Sequence, residues 1–183
     1  MKKTLLLAGV ASVFALNAQA LEVTPYVGAD YNVNLTHKSS RADGYLPGKY
    51  HSGSIVAGAK VSPYFATEVF GELSKHERKR ALHSEYGAYG VDLFGILPLG
   101  CYGEWEVLGT AGMGRYVASF KRKGINGHET AHDWGYRLGA GVQYNVTENW
   151  GVRAMYRRVI LHNAHVEPLH GMDVFSLGVR YAF

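Results

Sequence analysis

From residue 21 onward, apolar residues alternate with polar or small ones at a period of two, not at the three-and-four spacing of a helix. A strand side chain changes face at every residue, so each such run has one greasy and one polar face. Eight runs show this pattern. In the first, residues 22–34, Val23, Val27, Ala29, Tyr31 and Val33 oppose Tyr26, Gly28, Asp30, Asn32 and Asn34. In the second, residues 54–62, Ile55, Ala57, Ala59 and Val61 oppose Ser54, Gly58 and Lys60. A turn at Ser62-Pro63-Tyr64 leads into the third, where Phe65, Thr67, Val69 and Leu73 oppose Glu68, Phe70 and Glu72. The fourth, residues 86–97, sets Tyr89, Val91, Leu93 and Leu97 against Gly90, Asp92 and Phe94, and Pro98 and Gly100 are expected to break it. The sixth sets Trp134, Tyr136, Leu138, Ala140, Val142 and Tyr144 against Asp133, Gly135, Arg137, Gly139, Gly141 and Gln143. The seventh sets Trp150, Val152, Ala154 and Tyr156 against Gly151, Arg153 and Arg157. In the last, residues 174–183, Phe175, Leu177, Val179, Tyr181 and Phe183 oppose Ser176, Gly178, Arg180 and Ala182.

The fifth run, residues 105–118, is ambiguous. Its Gly109, Gly112 and Gly114 leave two registers open, and glycine-rich strands specify register poorly. The preferred register places Arg115 on the charged face and Leu108, Thr110 and Tyr116 on the greasy one. Short connections at residues 62–64, 97–103 and 147–149 alternate with long ones at 36–53, 75–85, 119–132 and 158–172. Aromatics gather near both ends of the runs: Phe65, Tyr144, Trp150, Tyr181 and Phe183 at one, Tyr31, Tyr89, Trp134, Tyr156 and Phe175 at the other. Two such girdles suit a lipid interface at each end. Period-two runs of about ten residues with turns of alternating length predict an all-β, eight-stranded antiparallel up-and-down transmembrane barrel. A soluble carrier barrel would show the same periodicity with its greasy face inward; the girdles and the terminal Phe183 argue against it.

Residues 1–20 read as a cleavable signal peptide. Lys2 and Lys3 precede an apolar core from Leu5 to Leu16, and Ala18-Gln19-Ala20 forms a small-residue cleavage site. The apolar run is too short for a spanning helix, which needs about 20 residues. Residues 21–183 are then expected to form one barrel domain. Cys101 is the only cysteine, so an internal disulfide is excluded. The net charge of +4 matters less than where the charges fall.

The alternating runs, the segment WGVRAMYR over residues 150–157 and the ending LGVRYAF resemble the small outer-membrane barrels of the OmpA-transmembrane/OmpX type. The outward row Phe175, Leu177, Val179, Tyr181 and Phe183 resembles the C-terminal assembly signal of such barrels. The resemblance implies a monomer in the bacterial outer membrane, inserted by the outer-membrane assembly machinery, without cofactor or catalytic site. Its environment would be outer-membrane lipid and lipopolysaccharide. The peptidoglycan-binding domain that follows some OmpA barrels is not expected after the last run.

Within such a barrel Asp30, Glu68, Glu72 and Asp92 would face Lys60, Arg137, Arg153 and Arg180 in a lumen just wide enough for side chains to fill. Buried charges must pair or stay hydrated. A packed polar core is therefore preferred to a gated channel, which stands as the runner-up. The long connections are basic, with Lys38, Arg41 and Lys49 in the first and Lys75, Arg78, Lys79 and Arg80 in the second. Lys121, Arg122 and Lys123 follow in the third, whereas the short turns hold no Lys or Arg. A basic cap of this kind attracts lipopolysaccharide phosphates, or the acidic and sulfated glycans of a host surface. Nucleic acid is a poor fit, because the basic runs lack interleaved aromatics.

The nine histidines, His37, His51, His76, His83, His128, His132, His162, His165 and His170, all fall in the long connections. Their spacings match no recognised zinc pattern, and metal binding is a minority reading. The run His162-Asn163-Ala164 faintly resembles lipid A deacylase barrels. Ala164 stands where those enzymes need a serine nucleophile, so the activity is not carried over. On the greasy face Leu138→Arg is expected to be costly, and Gly139→Ser beside it milder.

Overall fold

The computed structural model describes residues 23–38, 49–74, 82–100, 103–122, 128–162 and 169–183. Eight strands run in chain order: β1 (Thr24–Lys38), β2 (Lys49–Ser62), β3 (Phe65–Ser74) and β4 (Leu82–Leu99), then β5 (Trp105–Arg122), β6 (His128–Asn145), β7 (Trp150–His162) and β8 (Leu169–Ala182). Each pairs antiparallel with its neighbours, and β8 returns to β1, so the sheet closes into a barrel with no free edge. Closure gives every strand a hydrogen-bonded neighbour on each side over the span the strands share, the condition for crossing hydrocarbon as a sheet.

The two faces divide as the alternation requires. Ile55, Leu73, Leu93, Leu138, Leu177 and Val179 lie exposed on the outside. Asp30, Glu68, Asp92, Arg137, Arg153 and Arg180 are buried within. A wall of exposed leucines around a core of buried ions inverts the soluble pattern and is stable only where hydrocarbon replaces water. Aromatic pairs mark the ends of the wall. Trp105 packs on Tyr144, and Trp150 on Tyr181, at the tight-turn end. Tyr156 packs on Phe175 toward the other.

Three expectations are corrected. The fifth strand takes the opposite register: Leu108 and Tyr116 are buried inside with Thr110, whereas Trp105, Val107 and Met113 face out and Arg115 follows them in parity. Gly112 shows one reason. It lies against the Asp92 carboxylate and the Val91 carbonyl oxygen across the β4–β5 ladder, where any Cβ would collide. Pro98 does not end β4. It stands beyond the end of β3, where only β5 flanks it, so its missing N–H removes no ladder bond on that side. Finally, the strands outrun their greasy stretches. β4 begins at Leu82, not residue 86, and β5 continues to Arg122, because the ladder persists where apolar alternation stops. The long connections shrink to residues 39–48, 75–81, 123–127 and 163–168.

The tight turns are fastened by side chains. Ser62 Oγ accepts a bond from the Tyr64 N–H (3.2 Å), and Thr147 Oγ1 accepts from the N–H groups of Asn149 and Trp150 (3.3 and 2.9 Å). Asn149 Nδ2 donates to the Ala182 carbonyl at 2.9 Å, and Phe183 N–H to that of Pro25 at 3.1 Å, which ties the last strand to its neighbours.

Candidate functional site

Inward positions of all eight strands project into a narrow bore and fill it in layers. At the tight-turn end lies a polar clamp. Lys60 Nζ donates to Glu106 Oε1 at 2.7 Å across the bore. Gln143 Nε2 and Asn145 Nδ2 donate to the same carboxylate at 3.3 and 3.2 Å. Above it Tyr26, Ala66, Phe94, Ile96, Leu108 and Met155 form an apolar layer.

A band of ion pairs follows. Arg180 grips Asp30 with both terminal nitrogens (2.7 and 3.0 Å), and its Nε lies 3.5 Å from Glu68. Arg153 Nη1 donates to Glu68 Oε2 at 2.8 Å, and the Tyr26 hydroxyl donates to the same oxygen at 3.1 Å. Arg137 pairs in fork geometry with Asp92, its Nε donating at 2.6 Å. Its guanidinium carbon also lies over the Phe70 ring, 3.3 Å from the centroid. Arg153 of β7 reaches Glu68 of β3 on the opposite wall, and Arg137 of β6 reaches past β5 to Asp92 of β4. Arg180 and Asp30 join the adjacent strands β8 and β1 at the barrel's closure. A second apolar layer of Val56, Phe70, Ala88, Tyr116, Val159, Met172 and Val174 completes the filling toward the open end. Beside it Glu72 accepts from Ser52 Oγ (2.5 Å) and Asn34 Nδ2 (3.5 Å).

All eight lumen residues read from the sequence point inward, but they do not form one network. Lys60 sits apart in the clamp, and Glu72 is held by neutral donors. Glu106, Arg157 and Gln143 also belong to the polar interior. Arg157 Nη1 donates to Ser176 Oγ at 2.8 Å. Glu106 was hidden by the register expected for β5, which turned it toward lipid. The signal was Glu106 itself, because an odd-inward register leaves a carboxylate in the wall to spare Arg115.

At the open end, Lys49 is exposed at the start of β2, and Lys38, Lys121 and Arg122 stand on the terminal residues of β1 and β5. Arg41, Lys75, Arg78, Lys79, Arg80 and Lys123 lie outside the described residues, as do residues 1–20, Cys101, His76, His165 and Ala164. Among the described side chains, His51 shares a 2.7 Å hydrogen bond with the Tyr31 hydroxyl and stacks on that ring. The tight-turn end carries Glu104 and Glu148. Phe175, Leu177, Val179, Tyr181 and Phe183 form a continuous outward row, with Tyr181 edge-on to Phe183 at 5.2 Å.

Comparison with known proteins agrees with this architecture. The family model described as the outer membrane protein beta-barrel domain matches residues 4–183. Neisserial surface protein A superposes with a TM-score of 0.70 at 21% identity, over 87% of this chain and 97% of its own. The attachment invasion locus protein Ail of Yersinia pestis, solved with the heparin analogue sucrose octasulfate, superposes at 0.60 with 15% identity, over 90% and 100%. Outer membrane protein H of P. aeruginosa superposes at 0.60 with 17% identity, over 87% and 99%. No curated protein sequence matches the chain.

Proposed function

Since the chain belongs to the outer membrane protein β-barrel family and is an integral barrel of the bacterial outer membrane, we propose that it works through its outer end, as a monomeric structural and surface-contact protein. The observation that carries this reading is the polarity of charge between the two ends. The tight turns, which face the periplasm in such barrels, carry Glu104 and Glu148 and no Lys or Arg. Lys38, Lys49, Lys121 and Arg122 stand at the opposite rim, and the connections leaving it add Arg41, Lys75, Arg78, Lys79, Arg80 and Lys123.

A cationic rim above an outer leaflet attracts phosphates of the cell's own lipopolysaccharide and sulfated or acidic saccharides of another surface. Ail, of like fold, was solved with a sulfated heparin analogue, which is chemistry of the same sign. The filled bore leaves the rim as the part free to recognise a partner. The outward aromatic row of β8 is the segment that the outer-membrane assembly machinery would engage during insertion. No cofactor or catalytic role enters this reading.

The test is binding of the folded barrel to immobilised heparin and to lipopolysaccharide. Replacing Arg78, Lys79 and Arg80 together by Gln is expected to weaken both and to flatten their salt dependence. The barrel itself should keep its folded mobility. Unchanged binding would contradict the proposal.

A further inference from the structure

We propose that Arg115 forms an anchoring site for a lipid A phosphate on the outer wall of the barrel. In the observed register Arg115 takes an outward position on β5, between Tyr89 of β4 and Trp134 of β6. Both aromatics are well exposed, at 55% and 59%, with Val91, Met113 and Tyr136 next along the same wall.

Its depth follows from the strand. Ten residue steps separate Arg115 from Trp105, which belongs to the girdle at the tight-turn end. At about 3.4 Å per residue and a tilt of about 40°, that is roughly 26 Å along the barrel axis, about the height of the apolar band. Arg115 therefore stands where the acyl chains of the outer leaflet end and their phosphates begin.

Among the described side chains no carboxylate lies within salt-bridge distance of Arg115, and the outward positions of β4, β5 and β6 below it hold no acidic residue; Glu85 has the same outward parity on β4, four residues beyond Tyr89. The wall formed by β7 and β8 differs. There Arg158 pairs with Asp173 at 3.1 Å, and the Tyr156 hydroxyl donates to the same carboxylate at 3.0 Å. One wall thus presents a guanidinium set in an aromatic row with no carboxylate beside it among the described side chains, and the other a guanidinium paired with Asp173. A guanidinium can hold a phosphate by two parallel hydrogen bonds, which an ammonium cannot. The external end of the barrel fixes the leaflet, and the phosphate-bearing lipid of that leaflet is lipid A. This inference rests on the lipopolysaccharide part of the proposed function and adds a site on the wall. A rim variant that loses heparin binding but retains lipid A as the parent does would overturn the glycan part alone, whereas Arg115→Gln tests the wall site with the rim intact.

The experiment is native mass spectrometry of the folded chain released from phosphatidylcholine nanodiscs carrying lipid A, with retained lipid counted against its concentration. Arg115→Gln is expected to weaken retention about fivefold, the equivalent of about 1 kcal/mol for one basic group at an anionic surface. Arg115→Lys should recover part of the loss, and Arg158→Gln should retain lipid A like the parent. Lipid A stripped of its phosphates should bind the parent no better than intact lipid A binds Arg115→Gln. Equal retention by Arg115→Gln and the parent would overturn the site. So would equal retention of the phosphate-free lipid, or competition by phosphatidylglycerol at equal concentration.

Discussion

The Arg137 guanidinium has three neighbours that fix its position: the Asp92 carboxylate it pairs with, the Phe70 ring beneath it, and Gly112, whose missing side chain leaves room for Asp92. Removing one member of such a pair leaves a buried charge uncompensated. Arg137→Met is therefore expected to cost about 3–5 kcal/mol in urea unfolding from lipid vesicles. Asp92→Leu combined with Arg137→Met should recover most of that loss, since the desolvation penalty leaves with the pair. Additive costs would show that the two do not act as a pair. The expectation for Gly139→Ser changes once its surroundings are known. A Cβ there would lie 2.5 Å from the Tyr156 carbonyl oxygen and 2.7 Å from Arg157 Cγ, and the carbonyl is backbone that cannot swing aside. The same assay should show a cost of about 1–3 kcal/mol for Gly139→Ser. That approaches the roughly 2–4 kcal/mol expected of Leu138→Arg in the lipid-facing wall. A neutral serine would contradict the close approach.

At the scale of the strand, β6 was legible because its two sets differ sharply: Trp134, Tyr136, Leu138 and Val142 against Arg137, Gly139, Gly141 and Gln143. β5 was not, because Gly109, Ala111, Gly112 and Gly114 make its two faces nearly alike over the middle of the strand. Its register is decided by partners distant in sequence: Lys60, which meets Glu106, and the apolar layer that receives Leu108. Leu108→Ala is expected to lose about 2–5 kcal/mol as a cavity in that layer. Outward Met113→Leu should change stability little. Equal and small effects would restore the discarded register. Strand ends were misjudged for another reason. Greasy alternation reports where hydrocarbon stops, whereas hydrogen-bonded pairing runs on, as Leu82 opposite Arg122 shows. The lumen acids and arginines could be named from parity alone, but which acid met which arginine depended on the closed topology.

Taken whole, the molecule is a tube whose bore carries packed side chains at successive levels. Phe94, Leu108 and Val159 are almost wholly buried at two levels of the bore, and ion pairs lie between them. Planar-bilayer recordings of the folded chain are expected to show no sustained discrete conductance at neutral pH; steady single-channel openings would revive the channel reading. The inverted distribution, hydrocarbon outside and ions within, underlies the ion-pair, register and rim arguments alike. A nitroxide scan along residues 54–57 of β2, in a Cys101→Ser background in lipid vesicles, tests it most directly. Collision with lipid-soluble oxygen is predicted to alternate with period two, with maxima at Ile55 and Ala57 and minima at Ser54 and Val56. Maxima at the second set would place the greasy face inside and contradict the account.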